Sequence, residues 1–206
     1  MESASQRSFP RVPSPEPVVV EERPPITPPL RIAFTTARGP EVARFAALAA
    51  DADADVLLAR SPVDVDVDAA TLGVIDVAAV PATVRGARGV TIATIAAEAF
   101  RSPRALIADR LRGCDLFVWH ASGDTEWNVP FARTRAAELR AYVVVYDGDD
   151  RSFAVDPDGA IVAGTFDGFR MATFVYDRAR AASTMVAPTT DVHAGLREVE
   201  RIRATY

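Results

Sequence analysis

From residue 30 onward, short runs of β-branched and aromatic residues alternate with helix-length segments, and this alternation constrains the chain more than any other feature. Strands separated by helices need a sheet system with helices packed outside it. Residues 31–36 (RIAFTT) interleave apolar and polar side chains, as a strand does. Gly39-Pro40 opens a helix, with proline at a tolerated first-turn position. Val42, Phe45 and Leu48/Ala49 mark its apolar face. Residues 55–59 (DVLLA) form a second, fully buried strand and complete a β-α-β start.

The pattern continues toward the C-terminus. Asp64, Asp66 and Asp68 alternate with Val63, Val65 and Val67. A calcium loop would need a central glycine and a distal glutamate that are missing, so this segment reads as an exposed edge strand with valines inward. Residues 74–80 and 90–96 read as strands. Ser102-Pro103 caps and begins a helix that Gly113 ends. Residues 115–120 (DLFVWH) form a buried strand, a helix runs from about Asn128 to Arg140, and residues 142–146 (YVVVY) form the next strand. Strands at 152–155 and 160–163 flank Asp156-Pro157-Asp158-Gly159, which suits a type I hairpin turn. Residues 171–176 form the last strand.

Residues 1–29 have a different character. Eight of the 15 prolines fall there, so a disordered, extended, partly polyproline II tail is expected. It is either an unstructured leader or a docking peptide centred on Arg23-Pro24-Pro25-Ile26-Thr27-Pro28. Residues 30–206 are then one domain. With 49% hydrophobic residues the 206-residue chain can bury a sizeable core. A net charge of −5 gives no general attraction for nucleic acid or an anionic membrane. The apolar run at residues 18–20 is too short for a signal-peptide core, and no stretch approaches a membrane span, so a cytoplasmic protein is expected. A single cysteine excludes an intrachain disulfide.

Several chemistries are closed by composition. All 23 basic residues are arginine, so no Schiff base, lysine base or P-loop lysine exists. There is no G-x-S-x-G elbow, G-x-G-x-x-G loop or H-E-x-x-H pair. One cysteine and two histidines are a poor zinc set, and neither a metal nor a cofactor is expected. Cys114 and His120 lie six residues apart along one strand, about 20 Å at roughly 3.3 Å per residue, too far to pair. His193 near the C-terminus could approach only through folding. At a helix–strand junction, Cys114 reads as a small buried residue. Trp119, His120, Glu126 and Trp127 surround a short loop after a strand and form either a pocket rim or a packed aromatic cap.

Four segments, in order, resemble the nitrilase (carbon–nitrogen hydrolase) superfamily. Residues 31–37, a helix and Ala54-Asp55-Val56-Leu57-Leu58 look like its A-D-L-I-V-F-P-E strand. Gly113-Cys114-Asp115-Leu116-Phe117-Val118 is similar to its G-A-D-L strand entry. Arg133-Thr134-Arg135-Ala136-Ala137-Glu138 with Tyr142-Val143-Val144-Val145 resembles its R-A-x-E-N…Y-V-V helix and strand. Residues 152–163 (SFAVDPDGAIVA) look like its S-x-I-x-D-P-x-G-x-V-L-A hairpin. The resemblance covers residues 30–196 and implies an α/β fold, an α-β-β-α sandwich, here truncated in the middle. It also implies a cysteine nucleophile, a glutamate base and a lysine near the oxyanion.

Carried over position by position, the three roles are empty. Ser61, in Ala59-Arg60-Ser61-Pro62, stands where the family has its glutamate. Ala96, in Ala96-Ala97-Glu98-Ala99-Phe100-Arg101-Ser102-Pro103, stands where it has its cysteine, and lysine is absent throughout. Glu98, Trp119, His120, Glu126 and Trp127 are what remains to line a pocket. The expectation is a non-catalytic binding or partner subunit, a homodimer or a heteromer with a nitrilase-fold homologue, with no small-molecule ligand identified. One alternative is a hydrolase of small amides or nitriles with a remodelled site, using Cys114 or Ser122 with Glu98 or His120. Another is a scaffold presenting the proline-rich tail.

Overall fold

The computed structural model describes residues 29–60, 72–78, 82–85, 87–122, 125–148, 151–166, 168–183, 185–187 and 190–203. Residues 1–28 of the expected 1–29 tail, Ser61 and the Asp–Val alternation at 63–68 lie outside the described residues. Two sheets face each other. The smaller contains β1 (Leu30–Thr35), β2 (Val56–Ala59), β3 (Gly73–Asp76) and β10 (Met171–Tyr176), in the order β10-β1-β2-β3. The larger runs in chain order through β4 (Ala82–Arg85), β5 (Thr91–Ala96), β6 (Leu116–Ala121), β7 (Tyr142–Asp147), β8 (Arg151–Val155) and β9 (Ile161–Gly164).

Strand periodicity sorts the core into layers. Ile32, Phe34, Val56, Leu58, Leu116, Val118, Val144 and Phe174 meet between the sheets. Their sequence neighbours point outward. Ala33, Leu57 and Ala59 meet α1 (Glu41–Asp51) through its buried residues Val42, Ala46 and Ala49. On the far side Phe117, Trp119, Val143 and Val145 meet α2 (Ala97–Arg101), α3 (Pro103–Leu111) and α4 (Thr125–Leu139). The result is the expected α-β-β-α sandwich. Every residue of β7 is buried, and each of its valines contributes roughly 1.5–3 kcal/mol. β5, β6 and β7 pair in parallel, so their connections must cross over as helices.

Three helices end with the next residues turning back into left-handed backbone: Asp53 (φ 54°), Gly113 (φ 91°) and Arg140 (φ 50°). In each, an amide beyond the turn returns to the last helical turn: Ala54 to Ala49, Cys114 to Asp109 and Ala141 to Ala136. Only Gly113 is legible as a terminator from residue type. Arg140 takes this conformation against its side-chain sterics, held by bonds from its guanidinium to Ser183 O (3.1 Å) and Pro157 O (2.9 Å) and by an ion pair with Asp158. Asp156-Pro157-Asp158-Gly159 makes the expected turn, with Gly159 N donating to Asp156 O at 2.9 Å.

Other expectations need correction. On α1, Val42 and Ala49 are buried and Phe45 packs partly buried beside them as expected, Ala46 joins them, and Leu48 is 40% exposed. Ser102 precedes α3 without a capping side-chain bond. The fourth helix begins at Thr125, three residues before Asn128, and runs through Pro130. Residues 171–176 are not the last strand. After them come α5 (Arg178–Ala182), β11 (Met185–Ala187), β12 (Thr190–Asp191) and α6 (Val192–Arg203), which lies against α3 and α4.

Candidate functional site

Sheets with parallel strands present ligand-binding groups at the carboxyl ends of those strands. In this sandwich both sheets bring parallel strands to one edge: β1, β2 and β3 in one, β5, β6 and β7 in the other. On the six-stranded side the inward-facing last residues are Ala96, His120 and Tyr146, side by side in register. Opposite them stand Leu58 to Arg60 and Val77. His120 Nε2 lies 2.6 Å from Val77 O, and the Tyr146 hydroxyl donates to Leu58 O at 3.0 Å. The Arg60 guanidinium lies 5.3 Å from the Tyr146 ring centre and donates to Gly148 O at 2.7 Å. The imidazole stacks on the same phenol, 5.6 Å between centres. Both sheets are thus tied together where a cleft between them would open.

The electrostatics follow from burial. Burial lowers the His120 pKa below its ordinary 6.5, and the Arg60 charge adds to the effect, so the imidazole is neutral at pH 7. Nε2–H then donates to Val77 and Nδ1 accepts. Burial pushes the Tyr146 phenol up, so it stays protonated. Arg60, His120 and Tyr146 therefore bring a positive charge, a neutral imidazole and a hydroxyl to the edge. These groups can orient a polar ligand. The methyl group of Ala96 offers no nucleophile.

The remaining sequence candidates do not assemble. Trp119 and His120 point to opposite faces of β6. Trp119 is fully buried against the helices, stacked on Phe100 at 4.2 Å. Glu98 on α2, Ser122 after β6 and Glu126 on α4 are exposed. Trp127 is 55% exposed, so it caps nothing. Of Glu98, Trp119, His120, Glu126 and Trp127, His120 lies at the edge and Trp119 is turned into the core beneath the helices, while Glu98, Glu126 and Trp127 are exposed on α2 and α4. His193 lies on α6, and its side chain is outside the description.

Cys114 sits at the opposite end of β6. It is buried, its Sγ donating to Leu116 O at 3.2 Å. Burial first, then the Asp115 charge, raises its pKa from 9.0 to about 12. Beside it the buried Arg110 donates to Cys114 O (3.2 Å), Leu139 O (2.8 Å), Arg140 O (3.2 Å) and Ala181 O (2.6 Å). Those carbonyls lie at or just beyond the ends of α3, α4 and α5, where a cation is favoured. Sequence reasoning missed Arg60, Arg110 and Tyr146. Arg60 and Tyr146 were available by one rule, since each stands at the carboxyl end of a parallel strand. Nothing in the sequence marks Arg110.

Among the described residues no cluster of three histidine, cysteine or carboxylate side chains could hold a metal ion. No described helix is long and apolar enough to cross a membrane.

No protein-family model and no curated protein matches this sequence. Solved structures match in fold. Nit3 of Saccharomyces cerevisiae, a member of branch 10 of the nitrilase superfamily, aligns with a TM-score of 0.59 at 13% identity, over 79% of this chain and 95% of its own. An amidase from Nesterenkonia sp. aligns with a TM-score of 0.54 at 15% identity, over 86% of this chain and 96% of its own. The NitFhit protein of C. elegans aligns with a TM-score of 0.51 at 14% identity, over 86% of this chain and 65% of its own. The two-sheet sandwich flanked by helices, and these alignments across most of the chain, identify the fold as that of the nitrilase superfamily.

Proposed function

We propose that this chain is a non-catalytic subunit of nitrilase fold that binds a partner or a small polar ligand. The observation that carries the reading is the placement of its only cysteine. The Nesterenkonia amidase is described with an active-site cysteine that takes up the acetamide moiety of fluoroacetamide. In this chain Ala96 ends β5 at the edge where a substrate would meet the sheets, while Cys114 is buried at the other end of β6. The absence of lysine and the ties from Arg60, His120 and Tyr146 across the edge support it. Its partner is a second copy or a homologue of the same fold, and its compartment is the cytoplasm.

Any chemistry that the chain retains is carbon–nitrogen hydrolysis of small amides or nitriles. Ser122, one residue beyond β6, and Glu98, two residues beyond β5, then stand with His120 at the strand ends, while Cys114 lies at the opposite end of β6.

Two measurements decide this. Purified protein incubated with acetamide, butyramide and acetonitrile is expected to release no ammonia above the buffer blank. Release that disappears in His120→Ala would refute the non-catalytic reading. Light scattering of the protein, alone and mixed with a nitrilase-fold homologue, is expected to show a dimer or a mixed oligomer. A strict monomer in both cases would remove the partner role.

A further inference from the structure

The outer face of the six-stranded sheet is covered up to β8 and left open over β9. α4 lies over β7 and β8 and reaches the chain just before β9, where a Cβ on Gly159 would stand 3.0 Å from Arg133 O. Ile161 pairs with Val155 and Gly164 with Phe153, two residues packed against the helices, so both lie on that outer face. Val162 is the extra residue of a bulge between them. A Cβ on Gly164 would fall 2.0 Å from the Phe166 ring, so the missing side chain lets that ring lie directly on the strand. Ile161, Val162 and Phe166 are each 41% exposed, and Phe169, whose amide donates to Phe166 O at 3.2 Å, is 70% exposed. A groove of about 400 Å³ lies between α4, through Val129, Pro130, Arg133, Thr134 and Ala137, and the Asp158-Gly159 turn.

We propose that this strip is a two-fold interface with a second copy of the chain, in which Phe169 of each copy enters the groove of the other. The groove's chemistry selects an aromatic occupant: apolar walls from Val129, Pro130 and Ala137, and the Arg133 guanidinium as a cation for a ring face. Phe169 is the most exposed large apolar side chain among the described residues. It follows the end of β9, whereas the Asp158-Gly159 turn of the groove precedes its start. A two-fold axis between two such strips therefore fits each ring to the other copy's groove and closes the assembly as a dimer. The area agrees. At ~200 Å² for a large apolar side chain, the four residues expose roughly 350 Å² of apolar surface. The low end of specific interfaces, about 600 Å² per partner and a little over half apolar, needs about the same. Of the charges at the rim, Asp158 is already paired with Arg140 and Arg180, and Arg170 with Glu41, so closure strands neither. The proposal gives the second-copy partner its face and rests on that part of the functional reading.

The test is sedimentation velocity of the full chain across a concentration series. The native protein is expected to dimerise reversibly. Phe169→Asp, and Thr134→Glu in the groove wall, should each raise the dimer Kd about tenfold or more. Leu48→Glu, on α1 over the other sheet, should leave it unchanged. All three positions are exposed, so the variants should keep the native urea midpoint. A dimer that either of the first two substitutions leaves intact would overturn the proposal and leave the partner to another face. An equal loss in Leu48→Glu would overturn it as well. A strict monomer would remove this interface and the second-copy role together.

Discussion

Each end of β6 has an arginine packed beside it, and the two ends do opposite work. At its start, Arg110, Cys114 and Asp115 are buried. Arg110 spends its hydrogen bonds on carbonyls near three helix ends. At its finish, Arg60 and His120 are half-buried, and their bonds run from one sheet to the other. The difference teaches that an arginine, a cysteine or a histidine has no role by type. Its role follows from which end of a parallel strand it occupies, since one end is sealed by helix termini and the other faces solvent and ligand.

The sharpest way to break this comparison is at Cys114. A pKa moved from 9.0 to about 12 leaves about a thousandfold less thiolate below pH 9, so iodoacetamide should label the native protein at least that much more slowly than the unfolded chain. Labelling at the rate of a free thiol would mean that the sealed end is open, and the non-catalytic reading would fall with it.

Next in size is the contrast between the two arginine-rich ends. Arg110→Met should cost about 3 kcal/mol or more in urea denaturation, because several carbonyls lose a charged donor at once. Tyr146→Phe removes one hydroxyl donor at the opposite edge and should cost only about 1 kcal/mol. Equal costs would mean that both edges are structural.

The smallest effect is electrostatic. His120 has a depressed folded pKa, so as pH falls through 6.5 the unfolded chain takes up the proton first. Stability should be fully present above pH 6.5 and decline below it. The urea midpoint of the native protein should therefore fall between pH 7.5 and 5.5, and His120→Gln should flatten that decline. An unchanged slope in His120→Gln would show that the imidazole does not titrate differently on folding.

Much of the architecture was legible in residue order. The strands at 31–36, 55–59, 90–96, 115–120 and 142–146 and the hairpin around Asp156-Pro157-Asp158-Gly159 were readable from local periodicity and turn chemistry, and the structure has strands and a turn there. The elements that escaped are α2, β4, α5, β11 and β12, each two to five residues long, and α6, a strongly amphipathic 12-residue helix whose periodicity was legible but went unread. The end of α4 was placed correctly, but it starts at Thr125, three residues before Asn128, and carries Pro130 inside it. Trp119, Glu126 and Trp127 looked like one cluster because they are close in sequence. Strand and helix periodicity then sent Trp119 into the core and Trp127 into solvent.

By itself the sequence determined the alternation of strands and helices, the lack of any lysine, the single thiol and the alanine that ends β5, because each is a property of residue identity or local spacing. The burial of Cys114 was also legible, but only the tertiary structure decided that Arg110 beside it holds three helix ends. It also decided that Arg60, His120 and Tyr146 meet across two sheets. Those facts depend on pairings between residues far apart in the chain, Arg60 with Gly148 and His120 with Val77 among them. Local periodicity carries no information about such distances, and the register of the packed sheets supplies it.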